Sequence, residues 1–114
     1  MNNKSSGRLG EDLAEGFLKE KGYIILERNY RHKRSEIDII TKLGDLIVFV
    51  EVKARKRINY GYPEEAVDQR KSDKIVEGAE NYIFDNNWHG PIRFDIISVN
   101  LTTQKINHFE DAFG

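Results

Sequence analysis

The sequence predicts an α/β fold, a mixed β-sheet flanked by helices in the order helix, three strands, helix, two strands. Three observations carry that expectation. Two segments repeat apolar residues at helical spacing. Five short stretches rich in Ile, Val, Phe and Tyr lie between turn signals. The second helix separates the third strand from the fourth, so the fourth can return beside the first three by a crossover connection. No linker, internal repeat or low-complexity tract interrupts the 114 residues, which are expected to form a single domain, 1–114.

Ser5 or Ser6 can cap the first helix, which runs to about Lys21 with Gly22 as its stop. Leu9, Leu13, Phe17 and Leu18 make its buried stripe, with Ala14 beside them. Glu11 stands at the margin of that stripe. Its commoner role is a solvent-facing glutamate favoured by the helix dipole, and its sharper role is a third acidic group at a site. Tyr23 to Tyr30 read as the first strand, followed by a basic connection.

Residues 35–55 read as a hairpin. Ile37, Ile39 and Ile40 open one strand, Leu46 to Val52 form an apolar run interrupted only by Glu51, and Gly44-Asp45 suits a two-residue turn with glycine first. From Lys56 to Pro63 the chain is polar, and Tyr60, Gly61, Tyr62 and Pro63 mark a loop. Its tyrosines suit base stacking, although tyrosines in such loops more often pack on their own framework. The second helix covers roughly Asp68 to Asp85, with Asp68 as its cap and Ile75, Ala79, Tyr82 and Ile83 facing inward. Asn86-Asn87 ends it, and Trp88 to Pro91 turn the chain into a buried strand from Ile92 to Val99. A short strand follows from Lys105 to Phe109, and Ala112 and Phe113 are expected to tuck under the sheet.

With Gly44-Asp45 as the whole loop, Leu43 faces Leu46, Asp38 faces Glu51 and Glu36 faces Lys53. Side chains alternate across a strand, so these four charged residues share one face and Ile37, Ile39, Val48, Val50 and Val52 share the other. Directly paired residues hold their Cβ atoms about 4.5–5.5 Å apart, where like charges destabilise a hairpin. A bound divalent cation explains two carboxylates set against each other there. A loop one residue longer would separate them, but it would also break up the apolar face.

Asp38, Glu51 and Lys53 thus make the pattern D-x12-E-x-K. Hard oxygen ligands select Mg²⁺ or Mn²⁺, and Mg²⁺ accepts a pair of carboxylates together with waters and substrate phosphate oxygens. Such an ion can activate a water and offset charge on a phosphodiester. Lys53 can hold that water or stabilise the transition state. The plainer role for Lys53 is a salt bridge to Glu36.

Composition narrows the partners. Net charge is -1, so any nucleic-acid surface must come from local clustering. Arg28, Arg31, Lys33 and Arg34 precede the hairpin, and Lys53, Arg55, Lys56 and Arg57 follow it. Such runs are commonly solvated loops, yet both flank the carboxylates, which favours a phosphate partner. Gln69, Arg70 and Lys71 with the amides of the second helix's first turn make an anion site, although a charged outer face is the commoner role for Arg70 and Lys74. No apolar run approaches membrane length and no signal-peptide pattern precedes the first helix. The absence of cysteine excludes disulfides and thiolate metal sites and is compatible with a cytoplasmic location. His32, His89 and His108 show no metal-ligand spacing and read as structural or surface residues.

Several stretches together resemble a known family: G-R-L-G-E-D-L-A at 7–14, N-Y-R at 29–31, E-I-D-I-I at 36–40, V-F-V-E-V-K-A-R at 48–55, Y-P-E-E-A-V-D-Q-R-K at 62–71 and R-F-D-I-I-S-V at 93–99. They resemble the YraN family of small bacterial proteins, placed in the restriction-endonuclease-like PD-(D/E)xK superfamily and most similar there to archaeal Holliday-junction resolvases. The resemblance spans nearly the whole chain. It implies a restriction-endonuclease-like fold, metal ligands at Asp38 and Glu51 and a catalytic lysine at Lys53. It also promotes Glu11, because related resolvases carry an acidic residue in the first helix near the site. Gln69 and Lys71 fall where that superfamily often has a polar helix residue facing the substrate. Ser35 stands where the family usually has glycine, a change that leaves the acidic positions in place.

The expected activity is therefore a Mg²⁺- or Mn²⁺-dependent endonuclease on DNA, branched or damaged structures included. Asp38, Glu51, Lys53 and Glu11 serve catalysis, and Gln69, Lys71, Arg55 and Lys56 serve the substrate. The alternative is a nucleic-acid-binding module, or a scaffold for a DNA-processing partner, that keeps the acidic site as a remnant. Two cuts on a symmetric junction would call for a two-fold homodimer.

Overall fold

The computed structural model describes residues 3–56 and 69–114. Helix α1 (Asn3–Glu20) leads into β1 (Ile24–His32), β2 (Ser35–Leu43) and β3 (Leu46–Arg55). Helix α2 (Gln69–Asp85) then precedes β4 (Ile92–Asn100) and β5 (Ile106–Phe109). One sheet holds the five strands in the order β1-β2-β3-β4-β5. The first three form an antiparallel meander, β4 runs parallel to β3, and β5 is antiparallel to β4. The parallel step follows from α2, which carries the chain back along the sheet before β4 begins. This is the expected element order, a mixed sheet flanked by helices and compatible with a restriction-endonuclease-like fold.

Both helices close with the same pair of bonds. Tyr23 N–H reaches Leu18 O and Gly22 N–H reaches Lys19 O, each at 3.0 Å, with Gly22 at φ +92°. At the end of α2, Trp88 N–H reaches Ile83 O at 3.0 Å and Asn87 N–H reaches Phe84 O at 3.2 Å, with Asn87 at φ +51°. A left-handed residue past the last turn satisfies carbonyls that would otherwise lack donors. The starts differ from expectation. Helix α1 begins before Ser5 and Ser6, so neither is its cap. The expected Asp68 cap, the loop with Tyr60 and Tyr62, and Arg57 lie outside the described residues.

The sheet carries an apolar cluster on each face. Ile39, Val48, Val50, Ile97 and Val99 pack on Ala14 and Leu18 of α1. Ile37, Ile40, Ile47, Phe49 and Phe94 pack on Ile75, Ala79 and Tyr82 of α2. Phe113 joins the second cluster, its ring centroid 5.4 Å from that of Phe94. No helix among the described residues is long and apolar enough to cross a membrane.

Two expectations about these faces are corrected. Leu9 is 43% exposed and lies outside the α1 stripe. Gly10 makes the contact instead, because a Cβ there would overlap the Ala54 Cβ of β3. Ile37 and Ile39 were expected on one face and lie on opposite ones. The β1–β2 ladder passes from Arg28 with Ile39 to Tyr30 with Ile37, leaving Asn29 unpaired at φ +54°. The register itself shifts between Ile25 and Glu27, while the side-chain alternation of β2 breaks between Ile37 and Ile39, at Asp38 opposite Asn29.

Candidate active site

The β2–β3 hairpin builds the site. Leu43 pairs with Leu46 across a turn in which Gly44 takes φ +61°, and the expected register continues as far as Ile39 with Val50. There the ladder stops, one step short of Asp38 and Glu51. Asp38 Oδ2 instead accepts the Val52 N–H at 2.7 Å. The side chain thus substitutes for a ladder bond and turns the Asp38 carboxyl toward β3. It lies close enough to Glu51 for that carboxylate's charge to bear on it. Burial first, and the neighbouring Glu51 charge second, push Asp38 up to about 8. Asp38 therefore keeps its proton near neutral pH.

Two lysines complete the cluster. Lys53 follows Glu51 by two residues and so projects from the same face of β3. Burial and the like-charged Lys71 push Lys53 down to about 8. Lys71, in the first turn of α2, places Nζ 3.2 Å from Glu51 Oε1. Burial opposes the Lys71 charge, but Glu51 outweighs it and holds Lys71 above the ordinary lysine value. Lys53 does not take Glu36 as its partner. Once the β2–β3 ladder ends, Glu36 pairs across the other strand boundary, with Arg31 Nε at 2.7 Å.

Glu11 approaches from the opposite face of the sheet, where its charge adds to those that raise Asp38. It is not solvent-facing, its side chain being 16% exposed. Arg28 of β1 holds it at 3.2 Å and also reaches Asp12 at 2.7 Å and Glu15 at 3.4 Å. The Arg28 clasp had no sequence signal beyond an acidic helix, E-D-L-A-E, preceding a strand arginine. Arg28 and Arg31 are therefore engaged with carboxylates rather than offered to phosphate. Lys33 and Arg34, in the β1–β2 turn, are exposed.

Arg55 and Lys56 are exposed at the end of β3, beyond Lys53. The β4–β5 turn fixes their backbone: Leu101 N–H donates to Arg55 O at 2.8 Å and Thr102 Oγ1 donates to Lys56 O at 3.0 Å. Gln69 turns away from the carboxylates. Its Nε2 donates to Asp73 Oδ1 at 2.7 Å, and it lines an acidic groove with Asp73, Glu77 and Glu80. Asp38, Glu51, Lys53 and Lys71 thus meet, with Glu11 close behind them and Arg55 and Lys56 at the rim.

A second buried polar group has a structural role. Asp95 Oδ2 takes His108 Nε2 at 2.7 Å and Arg93 Nη2 at 2.8 Å, and Asp95 Oδ1 accepts the Asp111 N–H at 3.0 Å. Burial opposes the Asp95 charge, but these donors hold its carboxyl below the ordinary value. The network ties β5 and the C-terminal segment to β4. His108 is therefore structural, one of the two roles expected for it.

The donor set fits a hard divalent ion. Asp38 and Glu51 supply oxygen ligands only, and Mg²⁺ binds with one or two carboxylates plus water and phosphate. Among the described residues, no group of three His, Cys, Asp or Glu side chains is placed to hold a metal ion. A site here would therefore be an open, two-carboxylate one, with most positions left to water and substrate.

Residues 10–99 match the model of uncharacterised protein family UPF0102. A UPF0102 protein of Clostridioides difficile is 52% identical over 114 residues, covering 99% of this chain and 100% of its own. Another, from Chloroherpeton thalassium, is 46% identical over 110 residues, covering 96% of this chain and 85% of its own. Among solved structures, Pyrococcus furiosus SfsA in complex with Ca²⁺ is similar at a TM-score of 0.38 and 14% identity. That likeness covers 96% of this chain and 64% of the SfsA chain, and at such a score it assigns nothing.

Proposed function

The chain belongs to the UPF0102 family, and we propose that it is a metal-dependent nuclease of the PD-(D/E)xK type, hydrolysing phosphodiester bonds in DNA. One observation carries the reading: Asp38, held by the Val52 N–H, and the buried Glu51 bring their carboxyls together beside Lys53 at the point where the β2–β3 ladder ends. A purely structural role explains this poorly. A buried acid set beside a half-buried one is costly, whereas a pair of hard oxygen ligands is what a divalent ion requires.

Asp38 and Glu51 would hold Mg²⁺ or Mn²⁺. When bound, the ion would supply charge neutralisation at the phosphodiester and acidify a water. Lys53, pushed down to about 8, exchanges a proton at Nζ close to physiological pH. Charged, it faces the developing negative charge, and neutral, it accepts a proton from the attacking water. Glu11, oriented by Arg28, adds negative charge beside Asp38 and favours cation binding there. Arg55 and Lys56 stand where the DNA backbone would approach and supply phosphate contacts. Branched or damaged DNA is the substrate class this reading favours, in the cytoplasm, with two copies of the chain acting together on a symmetric junction.

The test is cleavage by purified protein of single-stranded, duplex, flap and four-way DNA in Mg²⁺ or Mn²⁺, beside a chelator control. Metal-dependent cutting that Glu51→Gln abolishes supports the reading. Binding without cutting by both proteins assigns the chain instead to the non-catalytic nucleic-acid-binding class.

A further inference from the structure

A lysine from the crossover helix already sits where a cation belongs. Lys71 Nζ lies 3.2 Å from Glu51 Oε1, the glutamate side chain being 6% exposed and the lysine 45% exposed. A buried carboxylate requires a compensating charge, and Lys71 provides it. Lys71 is anchored by its backbone in the first turn of α2, yet its flexible four-carbon stem allows the ammonium to move. Lys53, from the sheet, lies close enough for the Lys71 charge to weigh on it. Glu51 is therefore already neutralised by one lysine with a second beside it, and a divalent ion would add a further cation within the same few ångströms.

We propose that Lys71 is an internal competitor for the divalent ion: it neutralises Glu51 when no ion is bound, and it swings from Glu51 to a DNA phosphate when substrate and ion load together. The inference rests on the assignment of Asp38 and Glu51 as metal ligands and adds a coupling to it. Metal affinity is held down in the free protein and rises when a phosphodiester draws Lys71 away. By linkage, the ion raises affinity for DNA by the same factor.

The probe is Mn²⁺ alone, titrated calorimetrically at fixed pH and salt into metal-free wild type, Lys71→Met and Lys71→Gln. The same titrations are repeated with a phosphorothioate-backbone duplex, chosen to resist hydrolysis. Without DNA, both variants bind Mn²⁺ severalfold more tightly than wild type. With the duplex, wild-type affinity for Mn²⁺ increases and the variants gain markedly less. Equal or weaker Mn²⁺ binding by the variants, with wild type binding normally, overturns the competition and leaves the metal site standing. An equal gain from DNA in all three proteins overturns the coupling. Failure of wild type to bind Mn²⁺ under either condition overturns both this inference and the metal assignment beneath it.

Discussion

Asp38 on β2 accepts the backbone N–H of Val52 on β3 at 2.7 Å, one step past the last regular pair, Ile39 with Val50. A side chain has taken over a ladder bond at the point where the strands part. The carboxyl is thereby fixed against Glu51, and its protonation becomes part of the stability of the fold.

The first consequence concerns pH. Asp38 is raised from 3.8 to about 8, so between those values the native state keeps a proton that the unfolded chain has lost. Its contribution to stability is fully present below the lower value and is lost as pH rises through the upper one. Lys53, lowered from 10.5 to about 8, acts in the opposite sense at higher pH, where stability recovers. In chelator, Asp38→Asn should match wild type below about pH 4 and melt progressively higher than wild type as pH rises towards 8. Thermal melts of both proteins across that range check it. A constant difference between them at every pH would show that Asp38 titrates normally.

Lys53 is assigned to the transition state more than to binding. Lys53→Ala should keep DNA affinity within about threefold while cleavage falls by about 10²-fold or more. Single-turnover cleavage and fluorescence anisotropy separate the two effects. Wild-type cleavage by the variant would leave Lys53 as a neighbour of Lys71 only.

DNA affinity should fall steeply with salt, because a chain of net charge -1 relies on a local set of exposed cations. Replacing Arg55 and Lys56 together by alanine should lower the slope of log K against log salt by about 1–2 units. Binding that ignores salt in the wild type would remove the phosphate-contact argument.

Gly10 seats α1 on β3, and that contact sets how close Glu11 comes to Asp38. Gly10→Ala forces its new methyl group against the Ala54 Cβ and should cost about 1–3 kcal/mol. Adding Ala54→Gly should return part of that loss, because the colliding methyl is removed. Denaturant unfolding of the two single variants and the double variant measures the coupling. Additive losses would mean that α1 simply shifts away.

The hairpin was legible because Gly44-Asp45 and the alternating Ile and Val residues admit one register that keeps the apolar surface intact. That register brought Asp38 and Glu51 near each other, although the ladder ends one step before they would pair. The break in alternation at Asp38, opposite the left-handed Asn29, could not be read, since such a backbone conformation inside a strand depends on its neighbours. Ile37 therefore changed faces, and Glu36 found Arg31 instead of Lys53. Partners set by packing of a helix on the sheet were equally hidden, as the Arg28 clasp on Glu11, Asp12 and Glu15 illustrates. Gln69 and Lys71 were expected together, but two positions on a helix differ by about 200° of rotation, so only Lys71 reaches Glu51.

The central claim is that Asp38 and Glu51 are metal ligands, and paired melting curves in chelator and in millimolar Mn²⁺ test it most directly. Binding to the native state stabilises by mass action, so wild type should melt higher in Mn²⁺ than in chelator. Asp38→Asn keeps the size of the side chain and an acceptor for Val52 N–H, yet loses a charged ligand. Near pH 8 it should melt no lower than wild type in chelator and lose most or all of the Mn²⁺-induced rise. An asparagine variant that is clearly less stable in chelator and responds to Mn²⁺ as wild type does would contradict the claim and leave Asp38 as a structural hydrogen-bond acceptor.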